Sequence, residues 1–265
     1  MKFIFLNLHN GLGNRLFKLA SAYGISKEQH NELYINNILP TNHNSNSEDY
    51  MNTIFRNFKI KNIIDEDYNT FVEPEDKCLS FIPIENVCTN LFLCGYFQNE
   101  KYFEKYKEDI YDLFRMEEHR QLYLTNKYNN LNNSYFIHIR RGDYLLPVND
   151  MHYIDFTLYY EKCLKHLKIT TNLLVFSDDI EYCKNMDIFK NIPFNIIFVE
   201  NENEINSIYL MSLCFLGGIC SNSTYSWWGS YLNENKNKLV IFPSKWFNND
   251  WNCDIYFKGS IVVDI

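Results

Sequence analysis

The densest chemistry in the chain is the string His138-Ile139-Arg140-Arg141-Gly142-Asp143-Tyr144. Two adjacent arginines and a carboxylate follow an apolar run, and Gly142 lets the backbone turn directly after it. Arginine presents a planar fork of donors to phosphate oxygens, so two of them suit a pyrophosphate leaving group. The plainer reading is that Arg140 or Arg141 pairs with Asp143 or another acid and holds the loop.

A second candidate is Ser221-Asn222-Ser223-Thr224-Tyr225-Ser226-Trp227-Trp228. Hydroxyls and backbone N–H groups at a helix N-terminus bind anions without needing charge. A simple N-cap by Ser223 or Thr224, with Trp227 and Trp228 in the core, fits the same string, and the two readings are compatible. Ser177-Asp178-Asp179 offers acceptors for a ribose or a base, or an N-cap from Ser177 or Asp178. Gly11-Leu12-Gly13-Asn14 has the G-x-G of a dinucleotide turn but lacks the third glycine, and a tight strand-to-helix turn explains it as well. Asp65-Glu66-Asp67 matches the D-x-D string of metal-dependent sugar transferases but reads as a solvated loop. No phosphate-binding G-x-x-x-x-G-K-[ST] string occurs.

These residues need a scaffold that carries them to one place. Residues 2–8 read as an apolar strand, and a glycine turn leads into a helix through Leu16, Leu19, Ala20 and Tyr23. Residues 40–50 read as a loop, followed by an irregular stretch to about residue 90. Leu91 to Cys94 reads as a buried strand, 100–116 as an amphipathic helix with Phe103, Tyr106, Ile110 and Phe114 inward, and a second helix runs to Tyr128. The polar segment 129–133 is a linker, which divides the chain into domains 1–130 and 131–265. Beyond it, strands at 134–140, 172–177, 195–199, 216–220 and 238–242 alternate with helices at 154–168, 180–187, 204–214 and 225–234. Such a βαβ series implies a parallel sheet, and ligands bind at the carboxyl ends of its strands.

Composition excludes several classes. A net charge of −8 over 265 residues argues against a general nucleic-acid or anionic-membrane surface. No apolar run approaches the ~18 residues of a membrane span, and Asn7, His9 and Asn10 interrupt the start too early for a signal peptide. The expected compartment is the cytoplasm. The eight cysteines show no C-x-x-C pair and no zinc spacing, and read as reduced thiols. The aromatic share of 17% fits a globular enzyme and would suit sugar faces, although a codon bias produces the same excess.

Taken in order, Asn10 to Ala22, Gly95-Tyr96-Phe97-Gln98 with Lys101-Tyr102-Phe103, His138 to Tyr144, Val175 to Ile180, Tyr209 to Leu232 and Ile241 to Phe247 resemble glycosyltransferase family 11, the α-1,2-fucosyltransferases. The resemblance implies an α/β fold of the GT-B type, two Rossmann-like domains facing across a cleft, with the nucleotide held mainly by the C-terminal one. It implies an inverting reaction, independent of metal and cofactor, that moves L-fucose from GDP-β-L-fucose to a hydroxyl, O2 of a β-galactoside, so the partners are a nucleotide-sugar donor and a glycan acceptor. By resemblance Arg140 takes the β-phosphate with Arg141 in support. Gly11, Gly13 and Asn14 approach the pyrophosphate from the other domain, and Asn222, Ser223 and Thr224 bind it from the helix N-terminus. Ser177 and Asp178 join the donor site. Inversion calls for a base on the acceptor hydroxyl, with Asp143 first and His138 or His152 as substitutes. The chain departs from the family at Arg15, where Gln is usual, at Asn10, where glycine is common, and at Asn206-Ser207, where an acid can accept guanine N–H groups. The competing expectations are another nucleotide-6-deoxyhexose or linkage on the same scaffold, and a carbohydrate-binding protein that has lost catalysis.

Overall fold

A computed structural model describes residues 2–38, 50–63, 66–169, 171–249 and 251–265, residues 37 and 38 by their backbone. The loop expected at 40–50 lies almost wholly outside the described residues, as does Asp65 of the D-x-D string. The chain forms two units: Met1–Glu117 with Trp251–Phe257, and Glu118–Asp250 with Lys258–Ile265.

The first unit is built on β1 (Phe3–Leu8), α1 (Leu12–Glu28), β2 (Glu32–Ile38), β3 (Tyr68–Val72) and β4 (Asn90–Cys94). Its four strands are parallel in the order β2-β1-β4-β3. β1 is nearly all apolar and buried, the composition of a central strand covered on both faces. β2 and β3 fall in stretches the sequence reading left without strands. β3 sits at the sheet edge and is mostly exposed, so its side chains carry little of the alternation by which strands are recognised. The helix expected at 100–116 is broken into two short 3₁₀ turns, Glu100–Tyr102 and Glu104–Tyr106, followed by α2 (Lys107–Leu113). Asn99 caps the first turn by accepting the Lys101 N–H at 3.0 Å, and the path leaves helical geometry at Phe103 (φ −138°, ψ 3°). Phe103, Ile110 and Phe114 are buried as expected, while Tyr106 is only half-buried.

The second unit carries α3 (Glu118–Lys127), β5 (Ser134–Ile139), α4 (Thr157–Leu164), β6 (Asn172–Ser177), α5 (Ile180–Lys184), β7 (Asn195–Phe198), α6 (Glu204–Leu213), β8 (Gly217–Ile219), α7 (Thr224–Tyr231), β9 (Leu239–Pro243) and β10 (Ile261–Val263). All six strands are parallel, in the order β10-β9-β8-β5-β6-β7. The expected βαβ series is present with shorter elements. β10 is an addition, short and partly exposed, recruited by pairing with β9. α3 groups with this unit rather than with the N-terminal half. Its Tyr123 and Lys127 reach the Glu202 carboxylate just before α6, which Tyr128 also meets at 3.2 Å.

β5 is buried along its whole length and its side chains alternate between two layers. Tyr135, Ile137 and Ile139 join the cluster with Tyr159, Tyr160 and Cys163 of α4. Phe136 and His138 point to the other face, where Gly218 makes room: a Cβ there would lie 2.4 Å from the Phe136 ring. Trp227 and Trp228 of α7 are fully buried. Among the described residues no helix is long and apolar enough to cross a membrane.

Candidate active site

β5, β6 and β8 end side by side. Ile139 pairs with Ser177 and Ile137 with Ile219, so the residues that follow these strands gather at the carboxyl edge of the sheet. Arg140 follows β5 directly. Its guanidinium bonds Asp143 through Nη2 and meets Asp178 Oδ2 through Nη1 at 2.8 Å, and it lies 5.3 Å from the Tyr144 ring centre. Burial pulls its pKa down, but Asp178, Tyr144 and Asp143 outweigh that and leave it raised. Arg141 donates its backbone N–H to Asp178 Oδ1 at 2.9 Å and its Nε to Asp179 Oδ2 at 3.2 Å, while its guanidinium lies 3.3 Å from the Tyr182 ring centre. The loop-holding ion pairs weighed in the sequence are therefore formed, and they involve three aspartates.

His138 is 4% exposed, and its Nδ1 lies 3.0 Å from Ser221 Oγ. Burial first, then Arg140, hold its pKa down to about 3. Burial keeps it neutral at pH 7, against the Ser221 hydroxyl. His152 is stacked on Tyr144 (5.0 Å, 22°) and flanked by Phe247, with its pKa lowered chiefly by burial. Asp143, the remaining sequence candidate, is engaged with Arg140 and accepts Asn149 Nδ2 on its backbone oxygen at 2.8 Å.

The Ser221 to Thr224 segment reaches the same edge. The Asn222 side chain is buried and donates through Nδ2 to the backbone oxygens of His152 and Trp246, both at 2.9 Å. Tyr144 Oη donates to the Asn222 backbone oxygen at 3.2 Å, which ties the arginine loop to this segment. Ser223 is the N-cap of α7 and accepts the Tyr225 N–H at 3.3 Å. Thr224 begins the helix. Ser177 and Asp178 do not cap α5: Asp179 does, accepting the Tyr182 N–H at 3.1 Å, and Ser177 Oγ accepts the Asp179 N–H at 3.0 Å. Asn206 is taken up by structure, accepting from Arg120 and donating to Glu202 Oε2 at 2.7 Å.

In the first unit Gly11 N-caps α1, and its carbonyl receives the Asn14 and Arg15 N–H groups at 3.1 and 3.2 Å. Gly13 is buried within the helix, and Asn14 Oδ1 accepts from Gln98 Nε2 at 2.9 Å. Asn10 holds the left-handed conformation (φ 67°) that glycine would take more easily, and its amide donates to Tyr96 Oη at 2.8 Å. Sequence reasoning missed three titratable neighbours of this turn. Lys18, 2% exposed, lies 2.9 and 3.1 Å from the two ring nitrogens of His9. Burial chiefly brings its pKa down to about 8. Glu73, 7% exposed, accepts the N–H groups of Tyr96 (2.6 Å) and Phe97 (3.0 Å), and burial raises its pKa to about 7. The signal for Lys18 was a lone cation among Leu16, Phe17, Leu19 and Ala20; Glu73 had no comparable signal.

The sequence profile of glycosyl transferase family 11 matches residues 7–261. The chain belongs to glycosyltransferase family 11. Among curated relatives, this family 11 member is 34% identical over 172 residues to the O-antigen biosynthesis glycosyltransferase WbnK of Escherichia coli, covering 58% of this chain but only 55% of that protein. It is 29% identical over 290 aligned positions to an alpha-1,2-colitosyltransferase of Escherichia coli, covering 94% of both. Among solved structures it is similar to fucosyltransferase NodZ from Bradyrhizobium, with a TM-score of 0.55 at 11% identity, over 86% of this chain and 93% of that one. A mutant Arabidopsis thaliana FUT1 in complex with GDP gives a TM-score of 0.51 at 14% identity, over 91% and 70%. At such identities the likeness carries the fold: this family 11 member is an α/β protein of the GT-B type with two Rossmann-like units.

Proposed function

We propose that this protein transfers L-fucose from GDP-β-L-fucose to a hydroxyl of an acceptor glycan, O2 of a β-galactoside, with inversion at the anomeric carbon. One observation carries the reading: the Arg140 loop and the Ser221 to Thr224 segment, the two anion-binding features of the sequence, share one sheet edge through the Tyr144–Asn222 and His138–Ser221 contacts. The names of the relatives, an alpha-1,2-colitosyltransferase and fucosyltransferases, support a deoxyhexose as the sugar.

Cleavage of the C1–O bond leaves its electron pair on the nucleoside diphosphate, so charge builds on a phosphate oxygen. Fixed donors aimed at that oxygen lower the barrier without reorganising. Arg140 supplies a charged fork, and the N-terminus of α7 supplies N–H groups and the positive end of a helix dipole. A β-configured donor giving an α-linked product requires a single displacement, in which the acceptor hydroxyl attacks C1 and its proton passes to a base, the Asp143 carboxylate in this reading.

A second reading exchanges the sugar, because the alpha-1,2-colitosyltransferase aligns along 94% of this chain. The test is nucleotide release with product mass, without added metal, from GDP-fucose and from the corresponding colitose donor, over a panel of β-galactosides. A product heavier by one fucose supports the first reading. A product from the colitose donor alone supports the second, and no product from either removes both.

A further inference from the structure

We propose that Asp178 is a positioning residue, the template on which the Arg140 loop takes the shape used for the donor's diphosphate. The inference rests on the donor reading above and gives Asp178 a task other than contact with ribose or base.

The side chain touches three consecutive residues. Because Ile139 and Ser177 are register partners, the next residue of each strand, Arg140 and Asp178, emerge together. Asp178 Oδ2 receives Arg140 Nη1 at 2.8 Å, and Oδ1 receives the Arg141 backbone N–H at 2.9 Å. The third contact is steric: a Cβ on Gly142 would lie 2.2 Å from Asp178 Oδ2 and 2.9 Å from its Cγ. Gly142 is thus glycine because the carboxylate occupies the place of its side chain.

The consequence for chemistry lies in the guanidinium. Arginine has five N–H donors in a rigid fork. Asp178 and Asp143 each engage a different terminal nitrogen, and together they fix the plane of the fork. The Arg140 and Asp178 side chains are each 25% exposed, so the pair is partly shielded and its geometry is better held than that of a free surface pair. A misplacement of about 1 Å in such a group costs on the order of 100-fold in rate.

The test is a double-mutant cycle of Asp178→Ala and Gly142→Ala in the full-length enzyme, reading kcat, donor KM and melting temperature. Each single change is expected to lower kcat by roughly 100-fold with donor KM changed less than about threefold. The double variant is expected to be no slower than Asp178→Ala alone, since the methyl group at 142 has no carboxylate left to displace. If Asp178→Ala does not fold, Asp178→Ser, which also clears the space beside residue 142, takes its place in the cycle. Losses that multiply would overturn the inference, as would a raised donor KM with kcat unchanged, the pattern of direct contact with the nucleotide. Absence of turnover in the unaltered enzyme with either donor would instead remove the donor reading, and this inference with it.

Discussion

The Glu73 carboxylate lies against the Tyr96 backbone, taking its N–H at 2.6 Å, yet burial holds its pKa at about 7 instead of 4.5. The folded protein therefore keeps a proton that the unfolded chain releases between pH 4.5 and about 7. A group bound more tightly to its proton in the folded state makes stability fall as pH rises through that window. Thermal melts from pH 5 to pH 8 should show this decline, and Glu73→Gln should flatten it. An unchanged slope in the variant would mean that other groups set the dependence.

Lys18 acts in the opposite sense at higher pH. Its amine titrates at about 8 when folded against 10.5 ordinarily, so the folded state binds fewer protons between those values. Stability should rise as pH climbs from 8 to 10.5. Lys18→Met keeps the stem and removes the charge. It should be more stable than the parent at pH 7 and lose the alkaline rise, as melts across this range would show.

Arg140→Lys keeps a positive charge but loses the fork that serves Asp143 and Asp178. Transfer should drop by about 10²- to 10³-fold in kcat, the usual cost of one oxyanion donor. Arg140→Ala should go further and also lower the melting temperature, because it leaves two half-buried carboxylates without their cation. Near-normal turnover in either variant would take Arg140 out of the donor site.

Transfer should persist in EDTA, because the proposed chemistry draws its positive charge from Arg140 and the α7 N-terminus. Activity that vanishes in chelator and returns with manganese would contradict the proposal.

The C-terminal half was legible because its strands are apolar runs separated by helical stretches, and the change of period separates the two. The loops at their ends were legible as residue types but not as partners. Nothing local tells Arg140 that its second carboxylate is Asp178, 38 residues away; only the pairing of β5 with β6 supplies it. The same gap hid the capping role of Asp179, which follows two equally good candidates. In the first half, β2 and β3 carry Glu, Asn, Thr and Tyr, and their strand character comes from pairing with β1 and β4 rather than from an apolar pattern of their own. The helix expected over 100–116 is interrupted at Phe103, whose backbone (φ −138°, ψ 3°) leaves the helical region between the two short turns.

Asn99 has a longer reach than the turn it caps. Its amide is 2% exposed and donates to the Asp254 backbone oxygen at 2.6 Å, while Lys101 meets the Asp254 carboxylate at 2.8 Å. The stretch Trp251–Phe257 thus belongs to the first unit although it comes near the end of the chain, and β10 of the second unit comes later still. Neither unit is a continuous segment of the polypeptide. On the ribosome, the N-terminal unit cannot be completed ahead of the C-terminal one: it waits until residue 257 has left the exit tunnel, by which time residues 118–250 of the second unit have already emerged. The two units mature together, and a nascent chain stopped at residue 250 would carry Asn99 with its Asp254 acceptor missing.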